Sequence, residues 1–101
     1  MNALARTESQ FQGAVLGYAK LMGWLGYHTH DSRNSAKGFP DLVLVRRGRL
    51  VFAELKALTG RVKPEQQEWL EALGHVAGEN TVVEVHLWRP SDWDEIVTVL
   101  R

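Results

Sequence analysis

A chain of 101 residues is long enough to bury one hydrophobic core and short for two, and 45% hydrophobic content with four Trp excludes a disordered segment. No apolar run is long enough to span a bilayer, the polar N-terminus carries no hydrophobic leader, and the lack of Cys excludes disulfides and Cys-ligated zinc. The formal net charge is zero, yet residues 33–63 hold eight basic side chains against Asp41 and Glu54 alone, so six positive charges are segregated in one segment. These features lead us to expect a single domain over residues 1–101, in a cytoplasmic setting, with one basic face suited to a polyanion.

Thr7 and Gln10 have the spacing of a capping box, and a helix is expected from about Glu8 to Met22. Phe11, Val15, Ala19 and Met22 form its apolar stripe. Trp24 to His30 reads as a first strand and Ser32 to Lys37 as a polar loop. Asp41 to Lys56 reads as a β-hairpin, with Arg46-Arg47-Gly48-Arg49 at its turn and Gly48 supplying a positive φ. A second helix is expected from Pro64 to about Ala77, stopped by Gly78. Thr81 to Trp88 is Val-rich and reads as a fourth strand. Ser91 is placed as the cap of a last helix that buries Trp93, Ile96, Val97 and Leu100. The order αβββαβα implies an α/β fold with a mixed central sheet flanked by helices, because the fourth strand can rejoin the sheet only by crossing over through the second helix.

The hairpin carries the chemistry. Folding it brings Asp41, in Gly38-Phe39-Pro40-Asp41, back beside Glu54, and alternation along the strand puts Glu54 and Lys56 on one face. Metal-assisted phosphodiester hydrolysis needs hard oxygen ligands, an acidified water and a cation to neutralise developing charge. Asp41 and Glu54 offer the ligands for Mg²⁺ or Mn²⁺, joined by the Leu55 backbone carbonyl, and Lys56 offers the cation. Taken alone, Glu-x-Lys is a common strand salt bridge. Glu8 falls on the apolar stripe of the first helix, where a carboxylate is costly unless a metal-held water or Lys56 compensates it. The other reading of Glu8 is a first-turn acid that favours the helix dipole. Gln66 shares a face with Trp69, Leu70 and Leu73, and either reaches the site or a phosphate, or is a helix-start residue facing solvent.

Phosphate contacts are expected from Arg33, Ser35 and Lys37 before the Asp41 strand, from Arg46, Arg47 and Arg49 at the hairpin tip, and from Arg61 and Lys63 after it. His28 and His30 share a strand face, but no third imidazole or thiol accompanies them, so a metal role is disfavoured; His28 remains a candidate lining of a DNA cleft. The four Trp read as core rather than as base-stacking platforms.

The chain resembles the VRR-NUC family, a branch of the PD-(D/E)XK nuclease superfamily. The resemblance rests on Glu8 with Phe11, Gly23-Trp24, Tyr27-His28, Gly38-Phe39-Pro40-Asp41-Leu42, Glu54-Leu55-Lys56, and Gln66 with Trp69-Leu70, in that order from Glu8 to about Leu73. Where that family often has a Ser before the polar start of the second helix, this chain has Lys63-Pro64. The resemblance implies a restriction-endonuclease-like core and a catalytic set of Asp41, Glu54 and Lys56, supported by Glu8, directly or through a metal-held water, and by Gln66. It also implies dependence on Mg²⁺ or Mn²⁺, and cleavage that leaves a 5′-phosphate. Small stand-alone members of phage type resemble homodimeric, structure-specific endonucleases related to resolvases of Holliday junctions, so branched or junction DNA is the expected partner and no membrane is involved. Two alternatives stay open on the residues: a DNA-binding or assembly module of nuclease fold without catalysis, and a restriction-type nuclease.

Overall fold

A computed structural model of the chain describes residues 7–30 and 36–101. The first helix, α1 (Glu8–Leu21), begins at the expected box: the Gln10 amide N–H donates to Thr7 Oγ1 at 3.1 Å, and the Thr7 N–H donates to Gln10 Oε1 at 3.0 Å. Two of the four orphan donors at the helix start are thereby satisfied. Phe11, Val15 and Ala19 are buried, as their spacing requires. Gly23 takes φ +86° and lets the chain turn sharply into Trp24, whose indole N–H donates to the Leu100 carbonyl at 2.8 Å.

Strand β1 (Leu25–His28) is shorter than expected and ends before Thr29. It pairs antiparallel with β2 (Leu42–Arg46), which pairs antiparallel with β3 (Arg49–Leu55). The two-residue turn places both Arg47, at φ +47°, and Gly48, at φ +77°, in the left-handed region. Positive φ at both positions is the hairpin turn whose twist matches the flanking strands. Helix α2 (Pro64–Glu79) then crosses over, and β4 (Val83–Trp88) joins β3 in parallel. The sheet order is β1-β2-β3-β4, mixed as the element order implies. A 3₁₀ turn at Pro90–Asp92 leads into α3 (Trp93–Leu100).

The pleat sorts the two faces. Leu42, Leu44, Val51, Ala53, Leu55 and Trp88 are buried against Phe11, Val15 and Ala19 of α1 and Ile96 and Leu100 of α3. Phe52 and Glu54 project from the opposite face of β3, toward the α2 side, where Phe39 sits edge-on between Phe52 and Trp69. Three more expected boundaries move. Helix α2 runs through Gly78 and stops at Asn80, whose side chain accepts the Val82 N–H at 3.0 Å and starts a new turn. Strand β4 begins at Val83, because Thr81 and Val82 form that turn. Ser91 lies inside the 3₁₀ turn and does not cap α3; the Asp92 carboxylate instead accepts the Arg89 N–H at 2.8 Å.

Candidate active site

Cα register pairs Leu42 with Ala53, so one residue further along, Asp41 lies against Glu54. One carboxylate oxygen of Asp41 takes over the ladder there: Oδ2 accepts the Leu55 N–H at 2.8 Å. The Leu55 side chain is locked in the core, so that backbone unit has little freedom to shift. Gly38 shapes the approach. It adopts φ +92°, and a Cβ at that position would fall 2.3 Å from the Glu65 carbonyl oxygen. The loop before Asp41 therefore lies directly against the first turn of α2, which only Gly permits.

Glu54 is 1% exposed, and its Oε2 has no hydrogen-bond partner among the described residues. Lys56, also buried, holds its ammonium 3.7 Å from that oxygen. Burial foremost, and then the neighbouring Asp41 carboxylate, pushes the Glu54 carboxyl up from 4.5 to about 8; Lys56 pulls it back and Glu8 adds a smaller push. Two carboxylates and an ammonium thus meet at the end of β2 and β3, with Glu54 and Lys56 buried and Asp41 half-buried. Among the described residues no group of three or more His, Cys, Asp and Glu is assembled for a metal, so the protein oxygens gathered here are those of Asp41 and Glu54.

The remaining candidates divide. Glu8 is exposed in the first turn of α1, which corrects the expectation of a core-facing carboxylate; Thr7 opens the helix just before it, so Glu8 lies on the rim, and its charge still reaches Glu54. Gln66 Oε1 accepts the Lys63 N–H at 2.9 Å, which is the helix-start role, and it supplies the cap that Lys63-Pro64 lacks. Lys37, Arg61 and Lys63 are exposed on the loops that lead into Asp41 and out of Lys56. Arg33 and Ser35 lie outside the described residues.

The hairpin-tip arginines do not belong to this end of the molecule. Arg46 and Asp41 stand five residues apart along the strand, roughly 15 Å. The Arg46 guanidinium donates to the Met22, Leu100 and Arg101 carbonyls at 2.7, 3.0 and 3.2 Å, and lies over the Trp24 ring. Arg49 forms a two-pronged pair with Glu84, at 2.7 and 3.0 Å, and donates to the Val99 carbonyl. Nη1 and Nη2 of Arg46, and Nε and Nη2 of Arg49, are thus engaged within the fold. Arg47 is exposed at the same far end. An open concavity of about 740 Å³ lies there too, between Leu21, Gly23, Arg46 and Arg101, remote from the carboxylates.

Two residues that position the site carry little sequence signal. Thr29 donates its N–H to the Asp41 carbonyl at 2.8 Å and its hydroxyl to the Pro40 carbonyl at 3.0 Å, tying β1 to the Asp41 loop. Arg89 donates to the Ala57 and Gly60 carbonyls at 2.8 and 2.7 Å and so holds the loop that follows Lys56. An Arg directly after an apolar strand is too common to have marked it out.

A family model described as the VRR-NUC domain matches residues 7–87, from the cap of α1 to the end of β4. The chain belongs to the VRR-NUC family. That family is part of the PD-(D/E)XK nuclease superfamily, and the mixed four-stranded sheet flanked by helices agrees with such a core. Comparisons with curated proteins and with solved structures found no match. A VRR-NUC domain points to a nuclease and hence to nucleic acid as substrate. No described helix is long and apolar enough to cross a membrane.

Proposed function

We propose that this VRR-NUC domain is a divalent-metal-dependent, structure-specific endodeoxyribonuclease that works as a homodimer on branched or junction DNA. The observation that carries the reading is the convergence of Asp41, Glu54 and Lys56 on one buried spot, with a Glu54 oxygen that has no hydrogen-bond partner among the described residues. A buried carboxylate beside another is unfavourable unless a cation joins them. Hard oxygen donors of this kind fit Mg²⁺ or Mn²⁺. Asp41 Oδ1, Glu54 Oε2 and the Leu55 carbonyl would hold the ion, with Glu8 at the rim reaching it through water.

A cation held there supplies Lewis-acid polarisation of the phosphodiester and a more acidic water. The chain's own groups do the rest. Asp41 is pinned through Oδ2 to the Leu55 N–H, which leaves its second oxygen free of that bond. Lys56 would place a desolvated positive charge beside the reacting phosphate, where it counters the negative charge that builds on the non-bridging oxygens as water attacks in line with the departing 3′-oxygen. Lys37, Arg61 and Lys63 provide exposed cations on the flanking loops for the neighbouring phosphates. A panel of four-way junctions, flaps, splayed arms and plain duplex, each with Mg²⁺, Mn²⁺ or EDTA, tests the reading. Cleavage of branched DNA that EDTA stops is the expected result; intact DNA under every condition would overturn it.

A further inference from the structure

Beside Asp41, on the same side of the sheet as Glu54, lies a cavity of about 260 Å³ lined by Tyr27, Thr29, Ala36, Phe39 and Trp69. It is near the lower end of the size range of small-ligand pockets, ~300–1,000 Å³, and three of its five lining residues are aromatic. The sequence placed the Trp residues in the core; Trp24 and Trp88 are there, but Trp69 is only half-buried and faces this cavity. Its ring is fixed in place. The indole N–H donates to the Lys37 carbonyl at 3.2 Å, and Phe39 meets the ring edge-on at 5.1 Å and 82°. Phe39 is buttressed in turn by Phe52, edge-on at 6.1 Å. Opposite stands Tyr27 on β1, 59% exposed although nothing in its strand pairing requires an aromatic there. Thr29, which also lines the cavity, is the residue bonded to the backbone of Pro40 and Asp41.

From this arrangement we infer that the cavity is a subsite for one unpaired nucleobase of the DNA strand whose phosphate lies at Asp41 and Glu54. The inference rests on the nuclease reading and names the substrate class it implies: DNA with unpaired bases at the cleavage point. A base held in a duplex is stacked on both faces and cannot enter a pocket walled by aromatic rings. A base freed at a fork, flap or junction can stack there, and every base has a π-face to offer. Among the described lining residues, the side-chain hydroxyls are those of Thr29, which already donates to Pro40, and Tyr27. Recognition is therefore by stacking and independent of sequence. Lys37, whose carbonyl orients Trp69, is exposed and follows the lining residue Ala36 in the chain, so it offers a cation to the adjoining phosphate.

The test is binding of the full chain, in EDTA, to labelled splayed-arm DNA and to plain duplex, followed by anisotropy. Tyr27→Ala and Trp69→Leu should each weaken splayed-arm binding roughly 5- to 150-fold, the loss expected for one base–aromatic stack, and leave duplex binding within about twofold. Trp69→Phe, which keeps a ring, should retain most of the affinity. Removing the bases from the arms by abasic substitution should cost the wild type a similar factor and cost Tyr27→Ala much less. Circular dichroism checks the fold, and Tyr27, being exposed, is the variant least able to disturb it. Equal effects on arms and duplex, or no effect on either, would overturn the subsite. Cleavage of the same DNAs with Mg²⁺, blanked by Asp41→Ala, separates the two claims. Metal-dependent cleavage without arm selectivity keeps the nuclease and removes the pocket. Arm selectivity without cleavage keeps the pocket and removes the nuclease.

Discussion

Glu54 is charged only with difficulty in this fold, and that has measurable consequences. With its carboxyl raised from 4.5 to about 8, chiefly by burial and by Asp41, the folded protein holds a proton that the unfolded chain releases at lower pH. The stability this contributes is full below pH 4.5 and is lost as pH rises through about 8. Glu54→Gln keeps the shape and removes the titration. In EDTA, its stability relative to wild type should climb across that window and level off above it; denaturant unfolding at several pH values measures this, and a flat difference would contradict the assigned environment. Asp41→Ala and Glu54→Ala should abolish cleavage while leaving the circular dichroism spectrum intact, and full activity in either would remove the site assignment. Lys56→Met keeps length and loses charge. Its rate at saturating DNA should fall at least about 10²-fold, the scale of losing one transition-state partner, with a much smaller change in affinity. These three residues were legible in the sequence because Gly-Phe-Pro-Asp and Glu-x-Lys flank one hairpin. Glu8 was half legible: helical phase put it on the apolar stripe, but the first turn projects past the end of the core, and phase carries no information about where the core stops.

At the scale of elements, the sequence read caps and periodicity well and arginines poorly. Thr7-x-x-Gln10, the Arg47-Gly48 turn and the crossover through α2 are local signals, and all three were expected. Arg46, Arg49 and Arg89 bond to carbonyls and a carboxylate that lie 24 to 55 positions away in the chain, which no local pattern encodes. The hairpin tip should therefore set stability rather than DNA affinity. Arg49→Ala should destabilise the fold by about 1–2 kcal/mol, the range for a part-exposed, charge-assisted hydrogen-bond pair. The slope of log K against log salt should stay unchanged in Arg49→Ala. It should fall by up to ~0.9 for each phosphate-binding cation removed from the set Lys37, Arg61 and Lys63. Gly38 gives the sharpest element-level expectation. Gly38→Ala meets both a positive φ and the Glu65 carbonyl, so it should lose about 1–3 kcal/mol from backbone strain with the clash added, and it should lower the cleavage rate by displacing Asp41. An unaltered melting temperature would show that the loop does not pack on α2 as described.

At the scale of the whole molecule, Asp41 and Glu54 lie at one end of the strands and exposed apolar side chains at the other. Cutting both strands of a junction requires two active sites at fixed separation, which a two-fold dimer provides. Trp88, Ile96 and Leu100 of β4 and α3 fill the core and are unavailable for an interface, which leaves Leu87, 38% exposed. The two most exposed large apolar side chains among the described residues lie elsewhere. Leu21 at the end of α1 is 75% exposed, Leu25 at the start of β1 is 76% exposed, and Val45, directly across from Leu25 in the sheet, is 43% exposed. All three lie toward the hairpin tip, so a dimer closed over them leaves both Asp41–Glu54 sites facing outward to DNA. Burying a side chain such as Leu contributes about 1.5–3 kcal/mol, and a two-fold interface counts each residue twice. Sedimentation at micromolar concentration is expected to report twice the 11.4 kDa chain mass. Leu25→Lys should convert that species to monomer without unfolding it, because the side chain is already in water in the isolated chain. The monomer should still nick one strand of a four-way junction but lose the paired, symmetric cuts. A wild-type monomer that cuts linear duplex as fast as junctions would refute the dimer and the preference for branched DNA together, while leaving the nuclease in place.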